Sequence, residues 1–470
     1  MFELSEERNK RNLRFLRNNS IKYYSTNLRA PEVSFRDALL SGLAPDGGLY
    51  IPASIPKIDK EEIWSYKSKE YHEIASSVLK SFLKDEIDDQ SLCRLCRDAY
   101  NFAVPIEKVY DVNYVVRLDQ GPSASFKDFA AMMMARLMHF YISAANRCYT
   151  ILTATSGDTG SAVANAFHGL DNIEVIILFP QDEISPLQRK QMTTLKGNIH
   201  VVAIEGKFDD CQQLLKRALR DPSLSQLSIS SANSINIGRL LPQAVYYFYA
   251  WSRLAERGNE EAVFSVPSGN YGNLMGGLLS QEMGLPVSRF IISTNRNDEV
   301  PEYLKTGVYN IITPSYNCIS SAMNVGHPSN LARIIALYGG SMSEKGIMLK
   351  VPDLKRMREN FFGISISDEE TRKTILDCFV KYGLLLEPHG AVAWKGLECY
   401  HEQIRSELNE DQFFVSLETA HPAKFSDDIS YILGFTPPLP CSLKGINERV
   451  EEYVVLENSY EKLKGYILKN

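Results

Sequence analysis

The spacing of hydrophobic and polar positions changes near residue 100. Before it, Ile74, Val78, Leu79, Phe82 and Leu83 recur three and four apart among charged residues, the period of a helix with one buried face. This predicts a mainly helical N-terminal domain over residues 1–100. Beyond it, β-rich runs at 149–154, 175–179, 199–204, 262–266, 290–294 and 413–417 alternate with helical stretches at 128–141, 211–219, 239–254 and 369–382. Strands alternating with helices predict an α/β architecture with open, mostly parallel sheets.

Composition narrows the class. A chain of 470 residues exceeds what one core usually fills, so about two or three packed units are expected. With 44% hydrophobic and 23% charged residues it reads as an ordinary globular protein and not as a disordered one. A net charge of −6 supplies no basic footprint for nucleic acid or an anionic membrane, which points to a small-molecule partner. No apolar run approaches the roughly 20 residues of a membrane span. Eight scattered Cys suit free thiols in a reducing compartment, so the cytoplasm is expected. Cys93 and Cys96 have a zinc-like spacing without a second pair or clustered His, so they are read as a helix feature and no metal is expected. Glu3, Glu6 and Glu7 argue against a signal or transit peptide, and the basic stretch 8–17 reads as an exposed helical extension.

Three clusters carry chemistry. In Gly121-Pro122-Ser123-Ala124-Ser125-Phe126-Lys127-Asp128-Phe129, a small-residue loop runs into an Ala- and Met-rich helix. A Lys at a helix N-terminus faces the positive end of the dipole, which favours the neutral amine that imine formation needs. The flanking Phe126, Phe129, Ala130 and Ala131 suggest a buried helix start instead of the usual solvated Lys. Thr155-Ser156-Gly157-Asp158-Thr159-Gly160-Ser161-Ala162 follows a strand and opens a helix, so its amides and hydroxyls could hold an anion; a plain capped helix start explains this segment equally well. Ser268-Gly269-Asn270-Tyr271-Gly272-Asn273 follows another strand and has the make-up of a phosphate cradle. Near the C-terminus Thr419 ends a strand, where ligands of open α/β sheets gather, while His421 beside Pro422 reads as a satisfied loop histidine.

In this order the segments resemble the threonine synthases, pyridoxal-phosphate enzymes of the tryptophan-synthase β-like fold (fold type II). Tyr23-Tyr24-Ser25-Thr26, Gly42-Leu43-Ala44-Pro45-Asp46-Gly47-Gly48-Leu49-Tyr50, Asn233-Ser234-Ile235-Asn236, Glu387-Pro388-His389-Gly390-Ala391 and Thr419-Ala420-His421-Pro422-Ala423-Lys424-Phe425 add to the likeness. The resemblance implies a large cofactor domain from 101–145 and 236–470, with a smaller α/β lobe at 146–235. It implies pyridoxal 5′-phosphate in imine linkage to Lys127, its phosphate cradled by Gly269, Asn270, Tyr271, Gly272 and Asn273, and its pyridine nitrogen on Thr419. It further implies that Ser156, Gly157, Asp158 and Thr159 receive the anionic groups of O-phospho-L-homoserine, with Asn233, Ser234, Asn236 and Arg239 beside them. Asp158 is the odd member, since an ionised carboxylate repels an anion. The implied reaction forms L-threonine and phosphate. A related phospholyase releasing 2-oxobutyrate, ammonia and phosphate, or a non-catalytic phosphometabolite-binding protein on the same fold, would share most of these residues. The sequence departs from the family at Gln120, where His is frequent, and at Ile237, where Trp is; both are positions at which substrate choice would change.

Overall fold

Two parallel sheets organise the chain in a computed structural model that describes residues 20–145, 147–224, 226–404 and 411–469. The helical extension expected at 8–17 lies outside the described residues. The larger sheet has six strands in the spatial order Phe361–Ser365, Val287–Thr294, Glu261–Pro267, Gln412–Glu418, Asn113–Arg117, Ile106–Tyr110. All neighbours pair in parallel except the last two, which form an antiparallel edge. The smaller sheet has five parallel strands in the order Val454–Glu457, Ile199–Glu205, Ile173–Pro180, Tyr149–Ala154, Ile229–Ser231. Its three central strands are apolar on both faces because both are covered. Ile176, Leu178, Val202 and Ile204 pack with Leu214, Leu215, Leu463 and Ile467 on one side, and Val175, Ile177, Val201 and Ala203 join the main core on the other.

The predicted strands all appear, extended by one to three residues where their bounds differ. Two expectations need correction. The helix expected at 239–254 starts only at Val245, after two 3₁₀ turns at Ile237–Arg239 and Leu241–Ala244. Pro242 has no amide to donate and its ring crowds the preceding turn, so a regular helix cannot run through it. The tail, assigned from sequence to the larger lobe, adds strand Val454–Glu457 to the edge of the smaller sheet. Helix Tyr460–Ile467 follows, with the Tyr460 hydroxyl donating to Asp221 at 2.6 Å and Lys464 3.1 Å from the same carboxylate. This strand, Val454-Val455-Leu456-Glu457, is apolar in sequence but only four residues long and mostly exposed, so no long apolar run marks it.

The N-terminal region combines an antiparallel pair, Tyr23–Ser25 with Tyr50–Pro52, and helices that include Tyr71–Leu83 and Asp89–Ala99. Ile74, Val78, Leu79, Phe82 and Leu83 are all buried, as their spacing predicts. Cys93 and Cys96 lie on the second of these helices. Among the described residues no helix is long and apolar enough to cross a membrane.

Candidate active site

Lys127 is the first residue of helix Lys127–Ala145, whose buried face includes Phe129, Ala130, Ala131, Met133 and Met134. The loop before it is fastened to the end of strand Gln412–Glu418. Phe126 N donates to the Thr419 carbonyl at 2.8 Å, and His421 N to the Ala124 carbonyl at 3.0 Å. Ala124 takes a positive φ of 54° to make this fit, a cost seen mainly where function demands it. The two segments singled out around Lys127 and Thr419 are thereby made neighbours by backbone bonding. The Lys127 side chain is 14% exposed, with Nζ 3.3 Å from Asp158 Oδ2. Burial lowers its pKa, Asp158 raises it, and Lys424 and Arg239 lower it again, leaving a net depression. Desolvation is thus the leading cause of a more neutral amine here.

A cavity of about 650 Å³ opens at the carboxyl ends of strands from both sheets. Lys127, Ser156, Asp158, Thr159, Asn233, Ser234, Arg239, Gly269, Asn270, Tyr271, Gly272, Asn273 and Thr419 all line it. In the cradle, Tyr271 adopts a left-handed φ of 60° and leads directly into helix Gly272–Glu282, the kind of helix start that suits an anion. Asn273 Oδ1 accepts from the hydroxyls of Tyr246 and Tyr247, each at 2.7 Å. Its amide nitrogen is buried without a partner, as is Nε of Arg239. Burial brings the Arg239 guanidinium down to about 10, opposed by the charge of Asp128. Thr419 donates to Glu387 Oε1 at 3.3 Å, which fixes its rotamer.

The sequence-predicted residues divide once their bonds are traced. Asn236 lies outside the cavity lining: its amide donates to the Leu39 and Ser231 carbonyls at 2.9 Å and its oxygen accepts from Gly238 N. It is a turn cap, a job for which Asn is as well suited as for binding. Gly157 is also outside, and the reason for glycine is close approach: a Cβ there would sit 2.6 Å from the Gln188 side chain. Asn233 reaches the cavity wall, but its amide is spent on both backbone groups of Ala154, extending the sheet ladder. Thr155 accepts from Gly157 N and Gly160 N, so part of the anion loop is a helix cap and only the Ser156, Asp158 and Thr159 face remains for a ligand. His421 accepts from Ala423 N at 3.2 Å; burial, Arg117 and Lys424 lower its pKa to about 4, in keeping with a satisfied neutral ring. Gln120 is exposed and bonds to Asp119, and Ile237 is core, so neither departure from the family touches the cavity.

Two residues escaped the sequence reading. Lys424, fully enclosed, lies 2.6 Å from Asp158 Oδ1. Burial opposes ionisation of Asp158, but Lys424 and Lys127 outweigh it and hold the carboxyl far below the usual range. His389 lines the cavity; its Nε2 accepts from Ala322 N at 3.0 Å, which leaves Nδ1 to donate to Glu387. A lysine in the apolar stretch Pro422-Ala423-Lys424-Phe425 was the one available signal for the first. For the second, the mark was its place in the family-like segment Glu387-Pro388-His389-Gly390-Ala391.

Comparison with known proteins places this site. Residues 22–100 match the family described as threonine synthase N terminus, 105–419 pyridoxal-phosphate dependent enzymes, and 395–467 the threonine synthase C-terminal family. A threonine synthase of Serratia marcescens is 40% identical over 424 residues, 90% of this chain and 93% of its own length. The chain belongs to the threonine synthase family. The Escherichia coli threonine synthase is 39% identical over 90% of this chain and 94% of its own. The crystal structure of the pyridoxal-phosphate-bound threonine synthase of Brucella melitensis superimposes with a TM-score of 0.87 at 36% identity, covering 95% of this chain and 99% of that one. The yeast threonine synthase gives 0.85 at 29% identity, over 96% and 99%.

Threonine synthases take pyridoxal phosphate as cofactor, and the cavity fits it. The orphaned Asn273 amide costs about 1 to 3 kcal/mol unless a ligand accepts from it, and it sits in the loop best built for a phosphate. Gly269 cannot carry a side chain there: a Cβ would lie 2.8 Å from the Ala322 carbonyl oxygen and 3.0 Å from Met323 Cα, backbone atoms that cannot swing aside. Gly269→Ala is therefore expected to weaken cofactor binding roughly tenfold or more, since overpacking costs about 1 to 3 kcal/mol. Fluorescence titration of the apoenzyme with pyridoxal phosphate measures it, and unchanged affinity would show that the loop does not close on the cofactor.

Proposed function

We propose that the protein converts O-phospho-L-homoserine and water to L-threonine and phosphate. The observation that carries the reading is one cavity, in a chain of this family, that gathers a depressed Lys127 amine, the 269–273 loop and the Arg239 guanidinium. When bound, pyridoxal phosphate supplies an electron sink that makes protons on substrate carbons removable. Lys127 Nζ holds the cofactor and, once displaced, takes the proton from Cα and returns protons to carbon. Cα and Cβ each give up a proton as phosphate leaves from Cγ; Cγ and Cα then each take one, water adds its hydroxyl at Cβ, and its remaining proton goes with the phosphate.

Gly269, Asn270, Tyr271, Gly272 and Asn273 would hold the cofactor phosphate, and the Thr419 hydroxyl would be the partner of the ring nitrogen. Ser156, Thr159 and Ser234 offer hydroxyls or amides to the substrate's anionic groups, and Arg239 supplies the charge. Asp158 does not repel these groups as an isolated carboxylate would, because Lys424 neutralises it at 2.6 Å. Pro314, Asn317, Cys318 and Met323 complete the cavity lining. All eight cysteines are unpaired, which supports a reducing compartment such as the cytoplasm.

The test is to incubate pure protein with O-phospho-L-homoserine and measure phosphate, threonine, ammonia and oxo acid together. Threonine in step with phosphate is the expected result. 2-Oxobutyrate and ammonia in its place would make the protein a phospholyase, and no phosphate release would make it a binding protein.

A further inference from the structure

Asp158, the carboxylate beside Lys127, has a second lysine partner that does not line the cavity. Lys424 sits in the 3₁₀ turn Pro422–Phe425 with no exposed side-chain surface. Its ammonium lies 2.6 Å from Asp158 Oδ1 and donates to the Ser123 carbonyl at 3.0 Å. That carbonyl also receives Gln191 Nε2 at 2.9 Å, and Gln188 Nε2 donates to Asp158 Oδ1 at 3.0 Å. The second oxygen of Asp158, Oδ2, is the one that meets Lys127 Nζ, at 3.3 Å. Asp158 therefore stands between two lysines, closer to the one that does not line the cavity. The other charged or titratable groups facing this trio are Arg239 toward Lys127, His389 toward Asp158, and Asp128 and His421 toward Lys424.

We infer that Lys424 is a positioning residue which claims Asp158 as its own counter-ion, so that this carboxylate does not lock Lys127 as an ammonium. A carboxylate about 4 Å from a buried amine raises the amine's pKa by about 1 to 3 units when nothing offsets it. An amine so held can neither attack the cofactor aldehyde nor accept a proton from carbon. With Lys424 in place the Asp158–Lys424 pair is neutral as a whole, and burial is left to decide the state of Lys127. The arrangement also removes the cost that Asp158 alone would impose on an anionic substrate. Among the described residues Asp158 is the sole carboxylate within ion-pair distance of Lys424, and a buried ammonium without one is strongly disfavoured.

The inference rests on Lys127 being the reacting amine, but its test needs neither cofactor nor substrate, so it fails or stands apart from the threonine-forming reaction. Competitive acetylation of the apoenzyme with acetic anhydride across pH, read by peptide mass spectrometry, gives the midpoint at which Lys127 loses its proton. Lys424→Met is expected to raise that midpoint by about one pH unit or more, and Asp158→Asn to lower it. The double variant Asp158→Asn/Lys424→Met, which leaves neither charge, is expected to lie near the wild-type value. If Lys424→Met does not fold, the double variant must still lie above Asp158→Asn. A midpoint that Lys424→Met leaves in place, or a double variant no different from Asp158→Asn, would overturn the inference. A residue that served packing alone would leave Lys424→Met with the wild type and the double variant with Asp158→Asn.

Discussion

Lys127→Ala is expected to abolish threonine formation, by about 10⁴-fold or more, because on the proposed reading one side chain supplies both the cofactor linkage and the proton transfers at carbon. The fold should survive. Lys127 makes one side-chain hydrogen bond, to Asp158 at 3.3 Å, and Asp158 keeps its shorter contact with Lys424 when Lys127 is gone. The variant should therefore melt close to the wild type while losing the visible absorbance of the bound cofactor and its covalent trapping by borohydride. Two measurements check this: the product assay, and the mass of the borohydride-treated protein. Turnover within about tenfold of wild type would remove Lys127 from the reaction, since loss of a positioned acid–base group alone costs about 10²-fold or more.

The second large effect falls on stability and comes from Arg333. This arginine is fully buried at the start of helix Leu331–Leu337. Its Nε donates to the Tyr50 carbonyl at 2.9 Å, and its terminal nitrogens to the Ser234 and Ile235 carbonyls at 3.0 and 2.6 Å and to Asn330 Oδ1 at 2.6 Å. It ties the N-terminal strand Tyr50–Pro52 to the wall of the cavity. Arg333→Met keeps the apolar stem but leaves those four acceptors without this donor. The expected loss is about 4 kcal/mol, in the range reserved for broken buried networks. Urea unfolding measures it, and a loss under about 1 kcal/mol would show that water or neighbouring groups take over. Because Ser234 lines the cavity, the surviving folded fraction should also show a raised KM.

Gly269, Arg333 and Lys127 differ in how far the sequence revealed them. Lys127 and the 269–273 loop are contiguous patterns: each is a small-residue run leading into a helix, and the second directly follows an apolar strand. Each implies its own chemistry because the backbone around it is set by its immediate neighbours. The polar residues at 233–239 were harder to sort. Asn233, Asn236 and Arg239 look alike as candidate ligands, yet Asn233 bonds Ala154, Asn236 caps a turn, and Arg239 faces the cavity. An amide side chain satisfies a backbone group or a ligand with the same donors and acceptors, so residue type cannot separate the two roles. Arg333 gave no sign at all, since a buried arginine and an exposed one leave the same mark in a sequence.

The amino-acid pattern by itself determined the α/β class, six of the eleven strands of the two sheets, the Lys127 helix start, the two glycine loops and the strand end at Thr419. All of these rest on local periodicity or on short segments whose geometry is self-contained. Tertiary structure alone decided which of them meet. It brought 121–127 onto 419–421 through backbone bonds, opened one cavity at the ends of strands from two sheets, and carried the C-terminal strand to the smaller sheet. It also set Lys424 against Asp158, turning the one residue that seemed wrong for an anion site into half of a neutral pair. Such partnerships depend on strand order and on burial, which fix the distance and the dielectric between charges.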